Sequence, residues 1–497
     1  MPAFLLAIDQ GTTNSRAIIF DREGHLISQH EAPLNQSFPH DGWVEQDPLE
    51  MFQLSILCCQ EALKKAKLTA NDIAAIGISN QRETTILWDK KSGEPIYPAI
   101  VWQDRRTSEY CQQLATTALN QRVPEKTGLL LDPYFSATKI AWLLEQVPQC
   151  RERANRGELL FGTVDTYLIW KMTNGRNHVT DATNASRTML FNIHTHEWDA
   201  ELLEAFAIPA NLLPTVLDSS AYFGEMEAAL LGKTIPITGV AGDQQAATIG
   251  QACFNKGMVK TTYGTGCFML LNTGDTCIRS ENKLLSTIAY RINQKTTYGL
   301  EGSIFSAGTT IKWLRDKLKL IETAAETEEL AKSITNTEGA YLVPAFTGLG
   351  APYWDPLARG ALIGLTRNHD KAHIARAALE CVAYQTRDLL DAMREDKVAR
   401  PDTIRVDGGM AANNWLLQFL ADVLDVPVER PASIETSALG AAYLAGLQVG
   451  FYQSLDDISK HWHIDARFQP MLSEAERNKL LQGWKQAVTR VRSHAPI

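Results

Sequence analysis

No C-x-x-C pair occurs among the eight cysteines of this 497-residue chain, and only Cys58 and Cys59 stand close together. In a long chain without a secretory signal, that scatter fits free, reduced thiols in the cytoplasm. The N-terminus, MPAFLLAID, has no positive region and too short an apolar run for a signal peptide. Nowhere does the chain approach the ~18 uninterrupted apolar residues of a membrane span, so membrane insertion is not expected. No basic run stands out, and 48 basic residues against 57 acidic ones leave a net charge of −9. Nucleic acid and anionic membrane surfaces are therefore not expected partners. A Walker A loop is absent too. The only Gly-Lys-Thr, Gly232 to Thr234, has Glu227 where the first glycine of that motif belongs, and reads as a loop before the strand IPITGVAG. The histidine pairs His194/His196 and His461/His463 lack the cysteine or H-E-x-x-H context of a metal site and read as surface-loop residues.

What is present is an ordinary globular composition, 45% apolar, in a chain long enough for at least two domains. The first half alternates strands and helices. LLAID and RAIIF read as strands, with a third near HLISQHE. PLEMFQLSILCCQEALKKA has helical spacing, with apolar Leu49, Phe52, Leu54, Ile56, Leu57 and Leu63. IAAIGIS is a short apolar strand, followed by polar NQRETT and a second strand, ILWD; ATKIAWLLEQV is helical, with Ile140, Leu143, Leu144 and Val147 on one face. The pattern predicts an α/β domain with a mixed sheet.

Between the first two strands the chain reads IDQGTTNSR. A hairpin turn accounts for the glycine and asparagine. Asp9, however, ends its strand where α/β proteins tend to place ligands. The bend also gathers backbone N–H groups and hydroxyls of a kind that suits phosphate oxygens. The two readings are compatible. Near residue 260 the pattern returns in MVKTTYGTGCFMLL, with Gly264 to Gly266 in the bend, and TIAYRI and TTYGLEGS follow as further strands. Two such bends facing each other could hold a chain of phosphates from both sides. In PITGVAGDQQAATIG a strand ends at Asp243 and a helix starts there, so Asp243 reads as an N-cap or as a carboxylate aimed into a cleft. Further on, a strand ends at Asp407, two glycines follow, and a helix begins near Asn413, an arrangement that lets a flat ligand approach the backbone. TSALGAAYLAGLQVG is rich in small residues and suits a closely packed helix. The last helix opens on a Ser473/Glu476 capping box and buries Leu480, Leu481, Trp484, Val488 and Val491.

These blocks, together with VWQDRR, DPYFSATKIAWLL, GELLFGTVDTYLIWKMT, VPAFTGLGAPYWDP and GALIGLTRNHDKAHIARAALE, run in order over almost the whole chain. The chain thereby resembles the FGGY carbohydrate kinases, and within them the branch that phosphorylates glycerol. The resemblance implies an α/β fold of two actin/Hsp70-like (ribonuclease H-like) ATPase domains flanking a central cleft, divided as 1–249 and 250–497. It implies Asp243 as catalytic base and Arg82, Glu83, Tyr134 and Gln244 as the hydroxyl-binding set. Trp102 and Phe268 are implied against the carbon backbone of glycerol, with core packing as the competing reading for both aromatics. On the nucleotide side it implies Thr12, Thr13, Asn14 and Arg16 around the phosphates, Thr265 opposite them, and Gly308, Lys312, Gly409 and Asn413 toward the adenosine. Asp9 is implied in holding Mg²⁺, directly or through water, with ATP as the phosphoryl donor. A cytoplasmic homo-oligomer, dimer or tetramer, is the implied assembly.

Two departures from the family pattern bear on function. Lys312 stands where glutamine is usual. The segment AALLGKTIPI is shorter than its counterpart in the enteric members of that branch and lacks the arginine just before IPI; that segment is associated in such enzymes with fructose 1,6-bisphosphate inhibition, so that regulation is not expected. The rival readings are a kinase for another polyol or a pentulose, and, from a different class, a chaperone-like ATPase or a filament-forming protein that hydrolyses ATP without a polyol.

Overall fold

The computed structural model describes residues 2–355 and 357–493; the final proline of VPAFTGLGAPYWDP lies outside them. Two mixed sheets organise the chain. The first comprises β1 (Phe4–Gln10), β2 (Asn14–Phe20), β3 (Leu26–Pro33), β4 (Ile73–Asn80), β5 (Ser220–Met226) and β6 (Ile235–Gly242), in the order β5-β6-β4-β1-β2-β3. The second comprises β7 (Val259–Tyr263), β8 (Cys267–Gly274), β9 (Leu285–Ile292), β10 (Lys295–Ile304), β11 (Ile404–Asp407), β12 (Val428–Pro431) and β13 (Ile464–Phe468), in the order β9-β10-β8-β7-β11-β12-β13.

The sheets share one plan. In the first, the antiparallel hairpin β1-β2 is flanked by antiparallel β3 on one side and by parallel β4 and β6 on the other. In the second, the hairpin β7-β8 is flanked by antiparallel β10 and by parallel β11 and β12. The echo between the two Gly/Thr bends is thus a true structural repeat: each bend is the turn of the central hairpin of its sheet. The strand ILWD (Ile86–Asp89) stands apart, paired antiparallel with Leu159–Gly162 in a separate two-stranded sheet.

Helices that pack on these sheets or border the cleft between them include α1 (Pro48–Ala66), α2 (Ser136–Gln146), α3 (Ala182–Ala185), α4 (Asp243–Gly250), α5 (Gly308–Asp316), α6 (Lys371–Glu395), α7 (Asn414–Leu424), α8 (Thr436–Gln448) and α9 (Glu474–Val491). α1 buries Met51, Ser55, Ile56, Cys58, Cys59, Ala62 and Leu63, whereas Leu57 is exposed. The expected apolar face holds at Ile56 and Leu63, with Leu49, Phe52 and Leu54 half-buried, and is corrected at Leu57. Smaller side chains join it against the sheet, where Ser55 Oγ donates to Gln10 Oε1 (3.0 Å) and Cys58 Sγ to the Ser15 carbonyl (3.2 Å). All eight cysteines are free. α9 has its capping box and buries Leu481, Trp484 and Val488, with Leu480 and Val491 half-buried.

One core fills the first sheet and α1, and another fills the second sheet with α6, α7 and α9. A further apolar cluster joins the two lobes. α8, from the second half of the chain, packs on β1, β4 and β6, and Leu5, Ala7 and Ala75 meet Ala438, Ala442 and Ala445 there. α8 also crosses α4 at a distance only glycine permits: a Cβ on Gly440 would lie 1.8 Å from the Ala246 carbonyl oxygen. The small-residue run in TSALGAAYLAG is thus the seam between the lobes. Among the described residues no helix is long and apolar enough to cross a membrane.

Candidate active site

The carboxyl ends of the parallel strands converge on one cleft, the usual ligand position in open α/β sheets. β1 delivers Asp9, β4 leads into Gln81-Arg82-Glu83, β6 delivers Asp243, β7 leads into Gly264-Thr265-Gly266, and β11 ends at Asp407.

Asp243 is not the N-cap of α4. Gly242 takes that position, and Asp243 is the first helical residue. Its Oδ1 accepts the backbone N–H of Gln244 (2.7 Å) and lies 3.3 Å from Arg82 Nε, while Oδ2 has no hydrogen-bond partner among the described residues. Burial raises its pKa to about 6, Arg82 and Lys260 pulling it down and Glu83 and Asp9 pushing it up. A carboxylate poised there, with one oxygen uncommitted, can accept a proton near neutral pH.

Arg82 and Glu83 are buried, not a surface ion pair. Nor do they chiefly pair with each other, since Arg82 Nε stands 3.9 Å from Glu83 Oε1. Arg82 Nη1 instead binds Glu301 Oε2 at 2.5 Å and Gln245 Oε1 at 3.2 Å, while Glu83 Oε1 accepts Arg187 Nε at 2.7 Å. Glu83 adopts the left-handed region, φ 61°, a conformation a bulky residue seldom takes. Burial works to raise the Glu301 pKa, but Arg187 and Arg82 outweigh it and hold it at about 2. Burial pushes the Tyr134 phenol up, so it stays a neutral donor.

Trp102, Tyr134 and Phe268 gather beside this charged group. Trp102 meets Tyr134 and Phe268 edge to face, with centroids 5.7 and 6.3 Å apart, and Arg82 lies 5.8 Å over the Phe268 ring. All three rings are half-buried, unlike the neighbouring core residue Phe135. Gln244 is buried, and its Oε1 accepts the amine of Lys260, which also donates to Thr262 Oγ1 (3.1 Å). Burial lowers the Lys260 pKa against the pull of Asp407 and Asp243.

On the first-lobe bend, Trp102 Nε1 donates to Thr12 Oγ1 (2.9 Å), and Gly11 N to the Asn14 carbonyl (3.0 Å). Arg16 is committed to two carboxylates, Asp9 through Nη2 and Glu435 through Nη1 (2.6 Å). In the second lobe, Gly308 N donates to the Gly264 carbonyl (2.9 Å), and a Cβ on Gly308 would stand 2.5 Å from that oxygen, so only glycine fits there. A cavity of about 440 Å³ opens beside this bend, lined by Thr265, Gly308, Lys312, Gly409 and Asn413 together with Arg315, Thr327 and Glu328. Its size suits a nucleoside. Asn413 has a second duty, since its Oδ1 N-caps α7 by accepting Leu416 N at 2.9 Å. Thr12, Thr13, Asn14 and Arg16 do not line this cavity; they belong to the opposite lobe.

Sequence reading missed Arg187, Gln245, Lys260, Glu301 and Asp407 as members of this site. Two of them carry a signal in hindsight: Glu301 and Lys260 are lone charges inside otherwise apolar or hydroxylic strands, YGLEG and VKTTY, and an unpaired charge there has to find a partner. Nothing in the sequence joins Arg187 to Glu83.

A two-lobed α/β protein with a Gly/Thr bend at the centre of each sheet and an uncommitted carboxylate between them has the makings of a phosphotransferase. The chain belongs to the FGGY family of carbohydrate kinases: residues 4–250 match its N-terminal domain and residues 259–449 its C-terminal domain. It is 59% identical to a glycerol kinase of Ectopseudomonas mendocina, over 99% of this chain and 100% of that one. Glycerol kinase 1 of Pseudomonas aeruginosa is 58% identical over the full length of both. Among solved structures, Plasmodium falciparum glycerol kinase with ADP superposes with a TM-score of 0.92 at 37% identity, covering 99% of each chain. The two-domain fold expected from the sequence is the one found.

Proposed function

We propose that this chain transfers the γ-phosphoryl group of ATP to a terminal hydroxyl of glycerol, giving sn-glycerol 3-phosphate and ADP, as an entry step of glycerol catabolism. The observation that carries the reading is the meeting of Arg82, Glu83 and the uncommitted Asp243 oxygen in one polar pocket edged by Trp102 and Phe268. Its relatives' names supply the substrate. A small neutral triol needs matched donors and acceptors, because a buried polar group left unpaired is costly. Arg82 and Tyr134 offer donors, Glu83 acceptors, and Gln244 both. The aromatic edges suit the carbon chain.

Asp243 accepts the proton of the attacking hydroxyl as that oxygen bonds to phosphorus and the bond to the ADP oxygen breaks. The rest of the task is positioning and charge neutralisation. Thr12, Thr13 and Asn14 face the phosphates from one lobe and Thr265 from the other, while Gly308, Lys312, Gly409 and Asn413 take the nucleoside side. Arg16 joins the phosphate set by exchanging one of its carboxylate partners for a phosphate oxygen. Mg²⁺ fits this donor set: Asp9 keeps one carboxylate oxygen free of hydrogen bonds among the described residues, and Mg²⁺ asks the protein for only one or two hard oxygens beside phosphates and water. When bound, it would neutralise charge on the β- and γ-phosphates.

With this reading go a division of the chain near residue 250, a cytoplasmic location and a homodimer or homotetramer; the family resemblance supports them. The test is ADP release with and without glycerol. Release that depends on glycerol supports the proposal. Release driven by xylulose or ribulose but not glycerol replaces the substrate, and release indifferent to any polyol replaces the reaction class.

A further inference from the structure

The groups around the polyol pocket close on themselves. Glu83 Oε1 accepts Arg187 Nε (2.7 Å), Arg187 Nη2 donates to Glu301 Oε1 (2.8 Å), Glu301 Oε2 accepts Arg82 Nη1 (2.5 Å), and Arg82 Nε returns to within 3.9 Å of Glu83. Two arginines and two glutamates thus alternate in a ring whose members are 0–3% exposed. The ring draws on three places in the chain: the loop after β4, the turn after α3, and β10 of the second lobe.

Two details separate this ring from ordinary buried ion pairing. Arg187 Nη1 has no hydrogen-bond partner among the described residues although it is fully buried, and a purely structural pair gains nothing from an unmatched donor. Rings also guard the Arg187 guanidinium, with Tyr134 at 5.9 Å and Phe135 at 5.4 Å. The turn that carries Arg187 is itself tied to its surroundings: Asn184 Nδ2 donates to Asn80 Oδ1 (3.1 Å), just before Arg82, Thr183 Oγ1 accepts Gly242 N (2.9 Å), just before Asp243, and Ser186 Oγ meets Thr287 Oγ1 of β9 (3.2 Å). Asp181 Oδ1 in turn accepts Thr183 Oγ1 (2.9 Å) and Asn184 Nδ2 (2.9 Å). One short segment thereby touches the approaches to both Arg82 and Asp243.

We propose that Arg187 and Glu301 are positioning residues of the polyol clamp: they lock Arg82 and Glu83 into the ring, and Glu301 makes the clamp complete only when β10 of the second lobe is seated against the first. The inference rests on the glycerol reading of the site.

The test compares Arg187→Met, Glu301→Gln and the double variant with the wild type, measuring KM for glycerol at saturating ATP, KM for ATP at saturating glycerol, and kcat. Small displacements of a clamp cost roughly 10–100-fold. Each single variant is expected to raise the glycerol KM by that factor, with the ATP KM within about twofold. Because both residues serve one ring, the double variant is expected to lose much less than the product of the two single losses. Arg187→Lys, which keeps the charge and one donor, should fall between wild type and Arg187→Met, and it carries the test if Arg187→Met does not fold. An unchanged glycerol KM, a parallel rise in both KM values, or losses that simply multiply would overturn the proposal. Failure of the wild type itself to use glycerol would instead overturn the substrate reading, so the two failures are distinguishable.

Discussion

Replacing Arg82 with alanine is the perturbation whose consequences the structure lays out most fully. The side chain is 2% exposed and touches Glu301, Gln245, Asp243 and the Phe268 ring. A hydrogen bond from a charged donor to a substrate hydroxyl contributes about 1.5–3 kcal/mol, and each 1.4 kcal/mol is tenfold. The expected loss in kcat/KM for glycerol is therefore roughly 10- to 150-fold from that bond alone. A stability cost comes with it. The deletion leaves Glu301 with Arg187 as its one arginine and strips Asp243 of its nearest cation, and breaking buried pairs of this kind costs about 3–5 kcal/mol. The sign of the pH effect also follows. Arg82 holds the Asp243 pKa down against burial, so its removal moves that pKa upward from about 6 and the acid limb of kcat/KM toward neutrality. Initial rates of ADP release, with glycerol and ATP varied in turn at several pH values, measure both effects, and thermal unfolding measures the third. Equal losses for glycerol and ATP, or an acid limb that moves downward, would refute the reasoning.

Two other outcomes are expected. In the wild type, activity should fall as pH drops through about 6, where Asp243 takes up a proton and can no longer act as base; a kcat/KM profile flat to pH 5 would remove Asp243 from that role. Millimolar fructose 1,6-bisphosphate should leave activity almost unchanged, because the exposed loop Gly232–Thr234 offers one flexible ammonium, Lys233, where a bisphosphate wants arginine forks. A titration at fixed substrates across several protein concentrations checks this, and saturable inhibition at micromolar effector would contradict it.

Much of the fold was legible because it is written in local pattern. The two Gly/Thr bends between apolar strands, the small-residue helix and the capping box of α9 all depend on neighbours in sequence. The candidate site was legible where a residue lies at or just past a strand end, as Asp9, Asp243 and the pair Arg82-Glu83 do. What stayed hidden depends on tertiary partners. Glu83 looks like the partner of Arg82 in sequence, yet its partner in space is Arg187, 104 positions away. Likewise Leu57 has helical spacing but faces solvent, since the angle at which α1 lies on the sheet selects Met51, Cys58, Cys59 and Ala62 instead. Asp243 looks like an N-cap because capping is the commonest use of aspartate at a helix start; Gly242 takes the cap, and the carboxylate turns toward Arg82.

The most direct measurement of the account is made on Asp243→Asn. The amide keeps the shape of the side chain and its ability to hydrogen-bond, but it cannot take a proton at neutral pH. Glycerol binding by titration calorimetry should stay within a few-fold of wild type, while turnover falls by roughly 10²–10⁴. A variant that turns over glycerol at a near wild-type kcat would contradict the account.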